Sequence, residues 1–317
     1  MPQTPDPRPH VVVIGGLNMD LVVRVPVIPK PGETVDGGAF ATFPGGKGAN
    51  QAVAATRLGA RVSMIGRVGG DAFGQQMLNA IRSEGIDASQ VQVDSSQATG
   101  VALITVEDSG QNNISVASGA NMLVSPGQVE LALAALGRFD LLLMPLEVPM
   151  PAIIAAAKAA HRAGARLVLN PAPAKPLPAE LLQAAGVLAP NEFEAAILTG
   201  APVTDEASMQ TAAQALARLA PQATILITLG ERGAVYLAPS ESQLAHVPPF
   251  KVQAVDTTAA GDAYVAGLSV ALGEGKPFAE AVRFAAAAGA LAVTRAGAQP
   301  SLPQRAEVEA LLAKSAG

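Results

Sequence analysis

The sequence contains no cysteine, and histidine is scarce. Without a thiol, the chain can form neither disulfide bonds nor thiolate metal sites. The three histidines, His10, His161 and His246, lie far apart and lack the spacing of metal ligands. We therefore expect no zinc site, and we interpret each histidine as an ordinary surface or loop residue.

Charged residues are also sparse, at 15% of the 317 residues, and the net charge is -5. A surface that binds nucleic acid would need a basic face, which this acidic balance does not favour. Half of the residues are hydrophobic, so the composition is far from that of a disordered chain. A chain of this length can bury a large core, as one large α/β domain or two ordinary ones.

Long apolar runs are missing as well. The run from Leu141 to Met144 is too short to cross a membrane and ends at Pro145. The first ten residues contain four prolines and lack the apolar stretch of a secretory signal. We therefore expect a cytoplasmic protein with a disordered leader over residues 1–9 and a single domain over residues 10–317.

What the sequence does contain is an alternation of buried strands and helices. The apolar run Val11–Ile14, followed by two glycines, is typical of a fully buried strand. Helices are predicted near 48–58, 72–83, 127–136, 150–163, 192–199, 205–220, 261–272 and 278–293. Further strands are predicted near 62–66, 139–144, 166–169, 187–189 and 224–229, with a hairpin at 234–238 and 243–247. This alternation favours a mostly parallel sheet with helices on both faces.

Two β-rich blocks, about 18–44 and 98–118, do not fit that alternation. The simplest interpretation is that both leave the main sheet and pair with each other as a small separate sheet. Standing over the carboxyl ends of the main strands, such a sheet would form a lid.

The segment from Asp256 to Asp262 gives the strongest local indication of chemistry. It reads as a strand-to-loop exit followed by a helix that begins on small residues, and such a helix start leaves backbone N–H groups open to a phosphate. Asp262 in the first turn could take a proton from a hydroxyl that attacks the phosphoryl group. From this segment alone, a carboxylate that only complements the helix dipole remains an alternative.

A glycine turn, Gly45–Gly48, presents Lys47 and Asn50 at the start of another predicted helix. It is not a P-loop, because Gly48 stands where Ser or Thr is required and Ala41 where the first glycine is required. A tight turn with these polar side chains suits sugar hydroxyls, and an ordinary loop is the alternative.

Three further polar segments follow predicted strands. Asn18 and Asp20 lie where open α/β sheets bind ligands, although an Asn/Asp turn would explain them too. Asn191 and Glu194 could form a helix capping box, orient a hydrated magnesium ion, or do both. The glycine turn after the strand near 224–229 suits a nucleotide.

Together these segments resemble the ribokinase-like (PfkB) carbohydrate kinase family, from about Val11 to Leu311. The resemblance is carried by Gly16–Asp20, Pro31–Thr34, Gly45–Ala52, Asn170–Pro173, Pro190–Glu192, Thr228–Gly230, Asp256–Asp262 and Gly297–Ser301. It implies a three-layer α/β/α fold with a mostly parallel central sheet and a small β-sheet lid. It also implies ATP-dependent phosphorylation of D-ribose at O5, and a homodimer that forms through the lids.

The resemblance further implies roles for matching residues. Asp262 would deprotonate the O5 hydroxyl, and the backbone of Ala259, Ala260 and Gly261 would form an anion hole for the γ-phosphate. The sugar would be held by Asn18, Asp20, Gly46, Lys47, Asn50, Glu147 and Asp262. ATP would be surrounded by Asn191, Thr228, Gly230, Gly233 and Gly261. Glu194 would help to place Mg²⁺ through water, and K⁺ would lie among Asp256, Thr258, Ala292, Arg295, Gly297 and Ser301.

Two departures from the family pattern bear on these expectations. Ala263-Tyr264 replaces the common Thr-Phe, on what we expect to be the packed face of the helix. Ala286 stands where a polar residue often approaches the adenine, so the nucleotide preference stays open. The alternatives are a kinase of deoxyribose or fructose with the same fold, and a non-catalytic sugar sensor. The intact Asp262 and Gly261 argue against the sensor.

Overall fold

The computed structural model describes residues 6–315, which form two β-sheets and the helices around them. The strands are β1 (His10–Ile14), β2 (Asn18–Val25), β3 (Phe40–Gly45), β4 (Arg61–Gly69), β5 (Asp87–Asp94), β6 (Gly100–Glu107), β7 (Asn112–Ala117), β8 (Leu141–Met144), β9 (Arg166–Leu169), β10 (Val187–Leu188), β11 (Thr224–Thr228), β12 (Ala234–Leu237) and β13 (Ala245–Val247). The helices are α1 (Lys47–Arg57), α2 (Ala72–Ser83), α3 (Pro126–Leu136), α4 (Met150–Ala163), α5 (Ala179–Ala184), α6 (Glu192–Thr199), α7 (Glu206–Leu219), α8 (Ala260–Gly273), α9 (Phe278–Ala292) and α10 (Arg305–Lys314).

The large sheet has nine strands in the order β13-β12-β11-β10-β9-β8-β1-β4-β5, parallel except for the hairpin β12–β13. Side chains of a strand alternate between the two faces. Val11 and Val13 therefore pack with α1, α8 and α9, whereas Val12 and Ile14 pack with α3, α4 and α7. The result is the predicted three-layer α/β/α architecture, with a separate core on each face of the sheet.

The small sheet has the order β3-β2-β6-β7. Its central pair, β2 and β6, is parallel and places Asn18 opposite Gly100, so the two β-rich blocks pair with each other as expected from the sequence. Only residues 15–17 separate β1 from β2, and β3 ends two residues before α1 begins. The small sheet is therefore attached at the carboxyl end of β1, beside the start of α1.

Several elements differ from the sequence-based expectation. β5, α5 and α10 were not predicted; in β5 only Ala88 and Val91 are buried, which is too weak a pattern to recognise. The predicted strand exit at Asp256 is wrong, because residues 251–259 form a loop.

The interpretation of His10 as a surface or loop residue is also wrong. It lies in β1 with 3% of its surface exposed, and its ring contacts Ser63 Oγ at 2.9 Å and the Arg138 carbonyl at 3.2 Å. Burial lowers the pKa of His10, so it acts as a neutral hydrogen-bonding residue of the core. His161 and His246 are exposed, as expected.

The predicted leader lies partly outside the described residues, which begin at Asp6. Within the described part, Pro9 is buried and its carbonyl accepts a hydrogen bond from the Arg61 N–H at 3.0 Å. Between residues 6 and 315, no helix combines the length and apolarity that a membrane crossing requires.

Candidate active site

The carboxylate of Asp262 lies buried between α8 and α1, with 5% of the residue exposed. Asn50 Nδ2 donates to its Oδ2 at 3.1 Å, and Gln51 Nε2 donates to its Oδ1 at 3.0 Å. Each carboxylate oxygen thus accepts one amide N–H, which fixes the plane of the group. Asn50 Oδ1 is buried and has no partner among residues 6–315, so it can still accept a hydrogen bond from a ligand.

The start of α8 leaves backbone donors open. Ala259 adopts a left-handed conformation (φ 59°), which costs a non-glycine residue about 1–2 kcal/mol. The N–H of Ala260 donates to the Thr257 carbonyl at 3.3 Å, whereas those of Gly261 and Asp262 have no acceptor in the described part of the chain. A Cβ at Gly261 would meet no atom within 4 Å. Open N–H groups at the positive end of a helix form an anion site.

The glycines around the start of α1 are required by close backbone packing. A Cβ at Gly46, whose φ is 87°, would lie 2.7 Å from the Gly16 carbonyl oxygen. A Cβ at Gly48 would lie 2.5 Å from the carbonyl carbon of Gly15. The end of β1 therefore crosses directly against the start of α1, and this crossing brings Lys47 beside the residues that follow β1.

Acidic side chains surround Lys47. Burial, assisted by the charge of Asp262, raises the pKa of Asp20 to about 7. Burial likewise raises the pKa of Glu147 to about 7, although Lys47 opposes this shift. Glu147 Oε2 accepts the backbone N–H of Lys47 at 2.8 Å. The charge of Asp262 raises the pKa of Lys47, which therefore stays a cation within an acidic pocket.

Asn18 is oriented by a residue that the sequence did not indicate. Asn18 Oδ1 accepts from Asn121 Nδ2 at 2.8 Å, and Asn121 Oδ1 in turn accepts the Leu17 N–H at 2.9 Å. Both asparagines are buried. The Nδ2 group of Asn18 is left to donate toward the pocket.

A cavity of about 660 Å³ lies on the other side of the start of α8. It is lined by Thr228 at the end of β11, Gly230, Glu231 and Gly233 from the turn that follows, Phe250, Lys251 and Val252 from the loop after β13, Gly261 and Tyr264 from α8, and Ala286 and Gly289 from α9. Its walls are mainly apolar or main-chain, and its volume suits a nucleotide-sized ligand. Gly261 belongs to this cavity and to the anion site, so the two are continuous.

Ala263 and Tyr264 are buried, as expected for the packed face of α8. The Tyr264 hydroxyl is buried without a partner among the described residues, and burial raises the pKa of Tyr264. Ala286 contributes only a methyl group to the cavity wall.

Asn191 and Glu194 form the capping box of α6. Asn191 Oδ1 accepts the Glu194 N–H, and Glu194 Oε2 accepts the Asn191 N–H, each at 2.8 Å. Asn191 also forms a parallel bridge with Thr228, which places it next to the nucleotide-sized cavity. Burial raises the pKa of Glu194, and the charges of Lys47 and Asp262 act on it. Glu194 therefore belongs to the same electrostatic cluster as the acidic pocket.

Two of the positions that the resemblance suggests for K⁺, Thr258 and Gly297, contact the Asp256 carboxylate. Asp256 Oδ1 accepts from the Thr258 N–H at 2.9 Å and from its hydroxyl at 2.6 Å, and Oδ2 accepts from the Gly297 N–H at 2.8 Å. Partial burial alone would raise the pKa of Asp256, but these hydrogen bonds lower it below its usual range. The loop 256–258 and residue 297 are thus held by one ionised carboxylate.

The other suggested cation positions offer oxygen atoms. The Arg295 guanidinium pairs with Glu307, so only its carbonyl can face an ion. The Ala292 carbonyl receives the Arg295 N–H at a long 3.4 Å, and the buried Ser301 hydroxyl donates to the Ala298 carbonyl at 2.8 Å. Carbonyl and hydroxyl oxygens with one carboxylate fit a monovalent cation. No cluster of three or more His, Asp or Glu with metal-site geometry occurs within residues 6–315.

Gln51 and Asn170 are further residues of the site to which sequence reasoning assigned no role. Gln51 Nε2 contacts Asn170 Oδ1 at 3.1 Å as well as Asp262. The sequence shows only that Gln51 directly follows Asn50 in the predicted helix. Its full burial in α1 is seen in the structure.

Comparisons with known proteins agree with this geometry. Residues 8–305 match the family described as pfkB family carbohydrate kinase. The ribokinase of Haemophilus influenzae is 45% identical over 300 residues, which cover 95% of this chain and 97% of that protein. The deoxyribokinase of Salmonella typhimurium is 35% identical over 294 residues, covering 92% and 95%.

Among solved structures, ribokinase of Arabidopsis thaliana complexed with ribose and ATP superposes with a TM-score of 0.86 at 34% identity, covering 96% of this chain and 98% of that one. The chain therefore belongs to the pfkB family of carbohydrate kinases.

Proposed function

We propose that the chain transfers the γ-phosphoryl group of ATP to O5 of D-ribose, which gives ribose 5-phosphate and ADP. The observation that carries this proposal is the position of Asp262, between the acidic pocket and the open helix start that joins the nucleotide-sized cavity. The Haemophilus influenzae relative and the Arabidopsis structure with ribose and ATP support the choice of both substrates.

In this proposal ribose lies in the acidic pocket. Asn18 Nδ2 and the Lys47 ammonium group donate to hydroxyl oxygens, while Asp20, Glu147 and Asn50 Oδ1 accept from hydroxyl groups. Gly46 would contribute its backbone to the pocket, since its packing against Gly16 leaves no room for a Cβ. A pocket that holds several hydroxyl groups with charged partners favours a sugar over an apolar substrate.

The chemical step follows from the arrangement around α8. Asp262 accepts the O5 proton as O5 attacks the γ-phosphorus, and the bond from that phosphorus to the bridging oxygen breaks, leaving the electron pair on ADP. The open N–H groups of Gly261 and Asp262 face the charge that develops on the γ-phosphoryl oxygens, with Ala259 and Ala260 setting the turn. Asn191, Thr228, Gly230 and Gly233 lie along the ATP side.

Two cations complete the proposal. Glu194 would hold Mg²⁺ through water, and the ion would neutralise charge on the phosphates. K⁺ would lie among the oxygens of Asp256, Thr258, Ala292, Arg295, Gly297 and Ser301. Because Asp256 and Thr258 directly precede the helix start, a cation there would stabilise the loop that forms the anion hole.

We also propose a homodimer through the small sheets, with residues 10–317 as one domain and the small sheet as its lid. Leu103, Ile114 and Val116 each expose more than half of their surface on this sheet, and β7 is an edge strand with an unpaired side. Sedimentation equilibrium tests this part: a monomer at micromolar concentration would contradict it.

A coupled ADP-release assay tests the substrate. Ribose should give the highest kcat/KM in a panel with deoxyribose, fructose and adenosine, and K⁺ should increase the rate. Asp262→Asn should lower kcat about 10²–10⁴-fold, the usual contribution of a positioned base, while ribose binding persists. Higher activity with deoxyribose or fructose would assign a different sugar, and ribose binding without turnover by the unaltered chain would indicate a sensor.

A further inference from the structure

We propose that Gln51 is a positioning residue that holds Asp262 in its reactive orientation through a hydrogen-bond chain anchored on the large sheet. This inference rests on the proposed function, because it assigns a role in the same phosphoryl transfer. Gln51 is fully buried in α1, and its side chain contacts Asp262 and Asn170, so it acts through Asp262 and not on a ligand directly.

The hydrogen-bond chain begins at a backbone carbonyl of the large sheet. Asn170 Nδ2 donates to the Ala189 carbonyl at 3.1 Å, and Asn170 Oδ1 accepts from Gln51 Nε2, also at 3.1 Å. Gln51 Nε2 donates its second hydrogen to Asp262 Oδ1 at 3.0 Å. Asn170 directly follows β9 and Ala189 directly follows β10, so the anchor lies at the carboxyl ends of two adjacent strands.

The direction of every hydrogen bond in this chain follows from its first member. A main-chain carbonyl can only accept, so the amide nitrogen of Asn170 must face Ala189 and its oxygen must face Gln51. Gln51 must then present its nitrogen, since its oxygen would meet the oxygens of both Asn170 and Asp262. The amide of Gln51 therefore has one favourable orientation, and in that orientation it donates to the carboxylate of Asp262.

The orientation leaves Gln51 Oε1 buried without a partner among residues 6–315. An unpartnered buried acceptor opposes folding and offsets part of the stabilisation that the two Nε2 hydrogen bonds provide, so the net gain in stability is small. Control of the Asp262 carboxylate explains a glutamine at this position. Asn50 holds Oδ2 on the side of the pocket, and Gln51 holds Oδ1 on the side of the protein interior. Without Gln51, the Asp262 carboxylate would lose one of its two donors in a pocket that also contains Asp20, Glu147 and Glu194.

The test compares Gln51→Met, which keeps an unbranched side chain without donors, with the unaltered enzyme. We expect kcat for ribose phosphorylation to fall about 10–100-fold, since a misplacement near 1 Å can cost about 10²-fold. The KM for ribose should stay within about threefold, and the melting temperature should stay close to that of the unaltered chain. In an Asp262→Asn background, Gln51→Met should change the residual turnover less than about threefold, because the group it orients is already absent.

Gln128→Met is the matched control. Gln128 is another buried glutamine, and its Nε2 donates to the Gly66 carbonyl at 2.8 Å. It lies on α3, whose core is on the opposite face of the large sheet from α1 and α8. Its substitution removes this hydrogen bond and the one that Gln128 Oε1 accepts from Arg67 Nη2 at 3.1 Å, without touching Asp262, so kcat should change less than about twofold.

Several outcomes would overturn the inference. An unchanged kcat in a folded Gln51→Met enzyme would do so, as would a rise in the KM for ribose at constant kcat, or an equal loss of turnover in the Asp262→Asn background. If Gln51→Met does not fold, Asn170→Leu is the second variant to test. Its kcat should fall about 3–10-fold while ribose binding is retained. An unchanged kcat in this variant would overturn the inference. Absence of ribose phosphorylation by the unaltered chain would instead overturn the proposed function.

Discussion

The two halves of the site are built from different parts of the chain. The acidic pocket consists of half-buried charged side chains, among them Asp20, Lys47 and Glu147 with shifted pKa values, and of buried amide side chains. The nucleotide-sized cavity consists mainly of glycine backbone, alanine and other apolar side chains. The two halves meet at the start of α8, where Gly261 lines the cavity and the next residue, Asp262, places its carboxylate in the acidic pocket.

This difference indicates what each half recognises. A pocket of oriented side chains distinguishes ligands by the number and position of their hydroxyl groups, and leaves buried groups unpaired when one is missing. A cavity of backbone and apolar walls recognises shape and the charge of phosphates. Sugar selectivity should therefore depend on single side chains, and nucleotide binding on backbone conformation. Three substitutions test this contrast.

The largest effect is expected for Asp20→Asn in the acidic pocket. Ribose affinity should fall about 10–100-fold, because a charge-assisted hydrogen bond contributes about 1.5–3 kcal/mol. Isothermal calorimetry with ribose checks this expectation. An affinity within threefold of that of the unaltered chain would contradict the expectation that sugar binding depends on single side chains.

The same substitution should increase stability in a pH-dependent way. Burial raises the pKa of Asp20 from its ordinary value of 3.8 to about 7 in the fold, so its ionisation opposes folding. The stability present below pH 4 is then lost as the pH rises through 7, and Asn avoids this loss. Urea unfolding at pH 8 should show a gain of about 2–4 kcal/mol, at about 1.4 kcal/mol per unit of pKa, and a much smaller gain at pH 4. The exposed Asp36→Asn is the control, with changes below about 0.5 kcal/mol at both pH values.

An intermediate effect is expected for Gly261→Ala, where the two halves meet. The added methyl group would occupy open space, so the protein should fold and should gain up to about 1 kcal/mol of helix stability. The same methyl group would intrude on the anion site, and kcat should fall about 10-fold or more while ribose affinity stays unchanged. Gly127→Ala in α3, also in open space, should add stability without altering kcat. A Gly261→Ala enzyme with unchanged kcat would show that close approach of the phosphate to the backbone at this residue does not limit the reaction.

The smallest effect is expected for Tyr264→Phe in the cavity wall. Removing a buried hydroxyl without a partner should stabilise the fold by about 1 kcal/mol and leave the KM for ATP unchanged. Tyr236→Phe, at a partly buried ring packed on Phe278, should change stability by less than about 0.5 kcal/mol. A weaker ATP affinity in Tyr264→Phe would show that the Tyr264 hydroxyl contacts ATP, so that the mainly apolar wall also recognises the nucleotide through a side chain.

The architecture could be predicted because its buried strands and helices carry strong periodic patterns, as Val11–Ile14 illustrates. β5 was missed because an edge strand with two buried side chains has no such pattern. The loop at Asp256 was mistaken for a strand exit because Thr and Val are common in strands.

Within the site, the sequence indicated the residues but not their partners. Asp262 and Asn50 stood out through local motifs, whereas their hydrogen bond joins positions 212 residues apart. Asn121 has no local motif, and its role follows from its contacts with Leu17 and Asn18, at the connection between β1 and β2. The glycines of the turn before α1 suggested a ligand, but their cause is the crossing of Gly16 with Gly46. Such contacts depend on the assembled fold.

The short connection between β1 and β2 has a mechanical consequence. Asn18 and Asp20 are the first and third residues of β2 and so belong to the small sheet, whereas Lys47 and Asp262 belong to helices packed on the large one. A sugar that contacts both groups would bridge the two sheets across residues 15–17 and fix the angle between them. The angle between the two sheets would then differ between the ligand-bound and the ligand-free protein. This difference could be measured at positions far from the reacting atoms.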